Sequence, residues 1–228
     1  MKIKDVYLSK GSFIVSTMIA VLCIAVTVIS QLIPTTFLAF AFTYPLKYPW
    51  QIISYQFLHG YIPELIPEDF PYSAAQITVG HLVFNLLLCI PFGILVEKVI
   101  GGRRILALAV AAWIVDIVCI LIAAIFTTPK GETFICLGAS GLVFSFMPVG
   151  VYILFILGQK YGFKKLLKQV LFYMLMPMAI ATLAFALSPN AGGVTGIWSM
   201  VIHLLGIGCG ILFTVIYHKR IQETLQGE

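Results

Sequence analysis

The chain has 228 residues, 61% of them hydrophobic and only 10% charged, with a formal net charge of +5. A soluble domain of this length cannot hide so much apolar surface, because much of any folded surface must face its solvent, so a water-soluble globule is excluded and lipid is the natural medium. The five cysteines form no CxxC pair and no Cys/His cluster, which argues against a disulfide framework or a zinc site and leaves them as small apolar residues.

Residues 1–12 read as a polar tail carrying Lys2, Lys4 and Lys10. Six segments then have the length and polarity of spanning helices: 13–33, 79–100, 105–126, 140–157, 166–187 and 197–217. The first is too long for the core of a signal peptide and lacks a small-x-small cleavage site, so it is read as a span. Helix is the expected state throughout, because the bilayer offers no partners to an unpaired backbone and no barrel-like alternation is present. Between the first and second spans lies a long loop, 34–78, rich in proline and aromatics including Phe37, Phe40, Tyr44, Trp50, Tyr55 and Phe70. Long ordered loops are often functional and aromatics favour the interface, so a partly embedded loop at the outer leaflet is expected.

Positive charge sets the orientation. Lys98, Arg103 and Arg104 lie around the second-to-third connection, and Lys160, Lys164, Lys165 and Lys168 around the fourth-to-fifth. Lys219 and Arg220 follow the last span. Of the 14 Lys and Arg residues, all but Lys47 and Lys130 thus fall on the side of the amino-terminal tail. The opposite side holds Glu64, Glu68, Asp69 and Glu132. Both termini are expected to be cytoplasmic, with tails 1–12 and 218–228 flanking one membrane domain, 13–217. The asymmetry accounts for the basic net charge without a nucleic-acid partner.

Polar groups inside a bilayer are costly and ask for a partner or a purpose. The second span opens with Gly80-His81-Leu82-Val83-Phe84-Asn85, which places His81 and Asn85 on one helix face. The fourth opens with Gly138-Ala139-Ser140-Gly141, and the sixth contains His203-Leu204-Leu205-Gly206 and then Gly210. All three spans enter from the outer side, so the four polar groups converge at one depth. Singly, each has a packing reading. Together they suit nucleophilic chemistry: His203 could take the Ser140 proton and return it to a leaving amine. Asn85, His81 and the Ser140 backbone N–H could donate to a developing oxyanion. Gly138 and Gly141 would let backbone approach backbone around the nucleophile, and the Gly206/Gly210 face would bring the sixth helix against the fourth.

These residues resemble the rhomboid family. Pro49-Trp50-Gln51, Tyr55, Phe57-Leu58-His59, His81 to Asn85, Phe92-Gly93, Glu97 and Gly101 match its first half, Gly138-Ala139-Ser140-Gly141 its G-x-S-G motif, and His203-x-x-Gly206-x-x-x-Gly210 its last helix. The resemblance implies an all-α, six-helix, rhomboid-like membrane bundle that acts as an intramembrane serine endopeptidase. It implies Ser140 as nucleophile, His203 as base, His81 and Asn85 as oxyanion stabilisers, and Phe144 stacked on the histidine. It further implies transmembrane proteins as substrates, small side chains at the cleaved bond, and no metal or other cofactor. The expected location is the plasma membrane of a prokaryote. Three departures stand out. Gln51 replaces the family's frequent arginine, so an arginine-based loop anchor is missing. The stretch 60–80 is an insertion. Ile202 stands where a small residue often precedes the histidine.

Glu97, beside Lys98, Arg103 and Arg104, is expected to make a structural ion pair or helix-end hydrogen bonds. Asp116, near the middle of the third span, is expected to face protein, with no partner evident from sequence. Two other functions remain open: a non-catalytic rhomboid-like factor that binds membrane clients, and a small transporter using Asp116 and His203.

Overall fold

The computed structural model describes residues 3–61, 72–129, 131–186 and 197–226. Lys130, Leu187 and residues 62–71 of the 60–80 insertion, among them Glu64, Glu68, Asp69 and Phe70, lie outside the described residues. Five helices are long and apolar enough to cross a membrane: α2 (Ile14–Leu32), α5 (Ala74–Ile100), α6 (Gly102–Thr127), the pair α7 (Ser140–Phe144) and α8 (Phe146–Tyr161) taken as one, and α11 (Ile197–Gln226). A sixth and shorter apolar helix is α10 (Val170–Ala186). The fold is an all-α polytopic bundle.

Burial ranks these helices. In the α7–α8 span 78% of the most apolar stretch is buried, against 28–39% in the other four. The helix that begins with Ser140 therefore runs through the middle of the bundle, and the others turn apolar side chains outward. Val21, Ile29, Val83, Leu106, Ile122, Leu212 and Val215 are all exposed, as a lipid-facing surface requires.

Helix ends depart from the sequence expectation for local reasons. Helix α5 begins at Ala74 rather than at 79, because Ser73 and Gln76 form a reciprocal capping box. The fourth span breaks at Ser145, whose hydroxyl donates to the Leu142 carbonyl at 2.6 Å. Pro148 follows and has no N–H for the carbonyl four residues back, which explains a break at that point. The fifth span starts at Val170, since 163–166 forms a separate short helix, α9 (Phe163–Leu166). The last helix continues to Gln226. Ile221 and Leu225 are buried, and Lys160 Nζ donates to the Leu225 and Gln226 carbonyls at 2.7 and 3.0 Å, which satisfies a helix end that otherwise lacks partners.

The amino-terminal stretch is also built into the fold. Helix α1 (Ile3–Tyr7) buries Ile3 and Val6, and Tyr7 donates to the Pro91 carbonyl at 2.7 Å. Glu97 then ties α5 to the start of α2. It accepts from Ser12 Oγ at 2.6 Å, from the Val15 and Ser16 backbone N–H groups at 3.1 and 2.8 Å, and from Ser16 Oγ at 2.7 Å. A carboxylate among the unpaired N–H groups of a helix start is stabilising. Of the two readings of Glu97, helix-end hydrogen bonding is what the structure contains. Among the described residues the salt bridge recorded is the exposed Arg220–Glu223 pair, while Lys98 donates to the Ser9 carbonyl at 2.6 Å and lies over the Phe13 ring.

The described part of the long 34–78 loop is ordered by its own elements: a 3-10 turn (Pro34–Thr36), α3 (Phe37–Phe40), β1 (Phe42–Tyr44), α4 (Gln51–Ser54) and a second 3-10 turn (Tyr55–Phe57). Strand β1 pairs antiparallel with β2 (Phe134–Cys136), with Phe42 opposite Cys136 and Tyr44 opposite Phe134. This small two-stranded sheet lies outside the spanning helices. It fastens the loop to the segment that leads into Ser140.

Candidate active site

Ser140 is the first residue of α7 and follows Gly138, which has φ +111°. That left-handed backbone favours glycine, and a Cβ there would lie 2.8–2.9 Å from the His81 ring. Two contacts from the outer loop hold this approach. The Gly138 N–H donates to the Tyr55 carbonyl at 2.9 Å, and the Ala139 N–H donates to His59 Nε2 at 3.4 Å. His59 is fully buried and packs edge-on to His81, ring centroids 4.8 Å apart. Burial, and then the neighbouring His81, hold the His59 imidazole well below its ordinary pKa, so a neutral ring is left to accept from Ala139.

The residues singled out from sequence meet here in different ways. His203 Nε2 lies 2.9 Å from Ser140 Oγ, although 63 residues separate them. With its proton on the other ring nitrogen, Nε2 can accept the hydroxyl proton, which is the geometry a base needs. Phe144, fully buried one turn beyond Ser140, places its ring 4.5 Å from the His203 ring at 50°. His81 sits against Gly138. Asn85 is buried and donates Nδ2 to the His81 carbonyl at 2.9 Å. That uses one of its two amide hydrogens and leaves the other for an incoming group.

The glycines also find reasons. A Cβ at Gly206 would fall on the Gly141 carbonyl oxygen, 2.9 Å from its carbon, and one at Gly210 would meet the Ser145 carbonyl and lie 3.0 Å from Pro148 Cδ. The last helix therefore touches α7 and the start of α8 backbone to backbone. Gly141 meets the backbone of Gly206, but not backbone alone. What fills the space beside it, besides the Gly206 backbone, is a side chain: a Cβ at Gly141 would strike both carboxyl oxygens of Asp116.

Three roles were not legible beforehand. Gln51 is fully buried and anchors the loop from both ends of its amide. Oε1 accepts from Thr43 Oγ1 and from the Lys47 and Tyr48 N–H groups at 2.9–3.1 Å, and Nε2 donates to the Leu38 carbonyl at 2.7 Å. The missing arginine thus leaves no missing anchor. His59 props the turn that leads into Ser140. Asp116 is 2% exposed and lines, with Tyr55, Cys136, Ser140 and His203, a cavity beside the candidate dyad. Burial pushes the Cys136 thiol up to about 12, so it stays protonated and offers no competing nucleophile. No group of three or more metal-ligating side chains occurs among the described residues.

A family model described as Rhomboid domain matches residues 72–220, a stretch that includes Ser140, His203, His81, Asn85 and Phe144. No curated protein matches the chain.

Proposed function

The chain belongs to the rhomboid family, and from that premise we propose that it is a serine endopeptidase that cuts transmembrane segments of other membrane proteins. The observation that carries this reading is the 2.9 Å approach of His203 Nε2 to Ser140 Oγ between two helices far apart in sequence. A part-buried hydroxyl–imidazole pair has a packing explanation when it stands alone. Here Phe144 lies against the imidazole, and the turn bearing the hydroxyl is propped by Tyr55 and His59.

The chemistry follows from the parts. His203 takes the Ser140 proton as Oγ attacks the scissile carbonyl. The negative charge on the carbonyl oxygen is met by the Ser140 N–H, by the free Asn85 amide hydrogen and by His81. Protonated His203 then gives its proton to the leaving amine, and the acyl group stays on Ser140. Water, activated by the same imidazole, releases it. A substrate helix must unwind locally at the cut, because a helical amide is shielded by its own hydrogen bonds. Orienting His203 falls to the Phe144 ring and to the glycine contacts of α11, as no carboxylate is assigned to that task.

We further propose that both termini face the cytoplasm, so that the dyad opens toward the outer leaflet. The support is the positive charge around the chain ends and the α8–α10 turn, which the Lys160 contacts to the last helix and the Ile3 N–H bond to Gln169 bring together on one face of the bundle. The test is cleavage of a transmembrane test substrate in detergent by wild type, Ser140→Ala and His203→Ala, each checked for folding by thermal unfolding. Both variants are expected to lose cleavage, and wild-type rates in either would refute the assignment.

A further inference from the structure

We infer that Asp116 is a specificity-determining residue, and that the cavity it lines selects substrates with a hydroxyl-bearing side chain, serine above all, on the acyl side of the cut bond. The inference rests on the endopeptidase reading and deepens it. The cavity has a volume of about 30 Å³ and is lined by Asp116, Tyr55, Ile120 and Ile202 together with Ser140 and His203. Because the dyad residues form part of its wall, its occupant is constrained. Once Ser140 Oγ bonds the acyl carbon, the substrate Cα is one bond beyond and its Cβ two. The side chain of the acyl residue is therefore the group that reaches this space.

Size and polarity then narrow the choice. The cavity is small, about 30 Å³, which suits a short side chain such as that of serine, with its Cβ and Oγ, better than a branched one. Tyr55, Ser199 and the candidate dyad share the wall with Ile120 and Ile202, and Asp116 stands in it, 2% exposed, with Oδ1 lacking a hydrogen-bond partner among the described residues. Its position is fixed by Gly141, where only the absence of a Cβ lets the carboxyl lie. An unpaired buried oxygen is costly until something bonds to it, and a serine hydroxyl in the cavity can supply that bond in the acyl complex. A polar site of this kind discriminates against the substrate lacking the matching group more strongly than an apolar pocket discriminates by size.

The experiment measures kcat/KM for one transmembrane substrate carrying Ser, Ala or Val before the cut bond. Wild type should prefer Ser over Ala by about tenfold, the worth of one such hydrogen bond, and should cleave Val least. Asp116→Leu keeps the branched shape without the oxygens and should bring the Ser/Ala ratio to about one, chiefly by losing rate on Ser. Asp116→Asn should keep most of the preference. Indifference to Ser and Ala in wild type overturns the inference even if Asp116→Leu does not fold, and so does an equal loss on both substrates in a folded Asp116→Leu. Cleavage that survives Ser140→Ala would instead remove the endopeptidase reading on which the inference stands. Ser140-dependent cleavage with a flat Ser/Ala ratio would remove the specificity role alone.

Discussion

Adding one carbon at Gly206 should disable the site without touching a catalytic atom. The Cβ of Gly206→Ala would fall on the Gly141 carbonyl oxygen and lie 2.9 Å from its carbon and 3.2 Å from its Cα. These are backbone atoms on both sides, so no rotamer relieves the overlap, and α11 must move away from α7. Relief requires about 1 Å, and a displacement of that size between reacting groups costs about 10²-fold in rate. Ser140 and His203 sit on the two elements that part. Gly208 is the control, because a Cβ there meets nothing within 4 Å. Alanine also favours helix over glycine by up to about 1 kcal/mol, so Gly208→Ala should be as stable as wild type or more so, with unchanged cleavage. The assay compares cleavage rates of both purified variants in detergent after thermal unfolding shows each to be folded. Gly206→Ala cleaving at the wild-type rate would mean that this contact does not position the dyad.

Three further outcomes are expected. Gln51→Ala removes four hydrogen bonds from the outer loop and should cost about 1–3 kcal/mol, seen as a lower Tm and faster amide exchange at Lys47 and Tyr48; unchanged exchange would show that the loop is held otherwise. Glu97→Gln weakens the charge-assisted bonds to the start of α2, each worth about 1.5–3 kcal/mol when made to a charged group, and should lower stability to denaturant while a folded remnant still cleaves; undiminished stability would contradict the capping role. Asn85→Ala removes one proposed oxyanion donor and should lower kcat by about 10²–10³-fold with little change in KM, whereas a pure KM effect would make Asn85 a binding residue.

The spans were legible because lipid imposes one simple demand, an apolar run of sufficient length, and the described helices keep close to the segments read from it. Their ends were less so. Ser73 and Gln76 carried a capping signal, which a reading by apolar length, starting at 79, did not use. The β1–β2 pair left no trace, since three-residue strands have too few positions to show alternation. The Ser140–His203 approach was foreseeable because both residues sit early in helices that enter from the same side. Asp116 was not, because its neighbour is a missing Cβ at Gly141, a relation across helices that no periodicity encodes. The arginine-based anchor is absent, and nothing in the sequence showed that Gln51 takes its place. An amide both donates and accepts, and that matters more to the loop than charge.

The most direct test of the account is labelling by a fluorophosphonate, which forms a stable adduct only with a serine made nucleophilic by a base. The protein in detergent is treated, digested and mapped by mass spectrometry. The account predicts a single adduct on Ser140 that is absent in Ser140→Ala and lost in His203→Ala. No adduct on the folded wild type, an adduct on another residue, or labelling of Ser140 that persists in His203→Ala would contradict it.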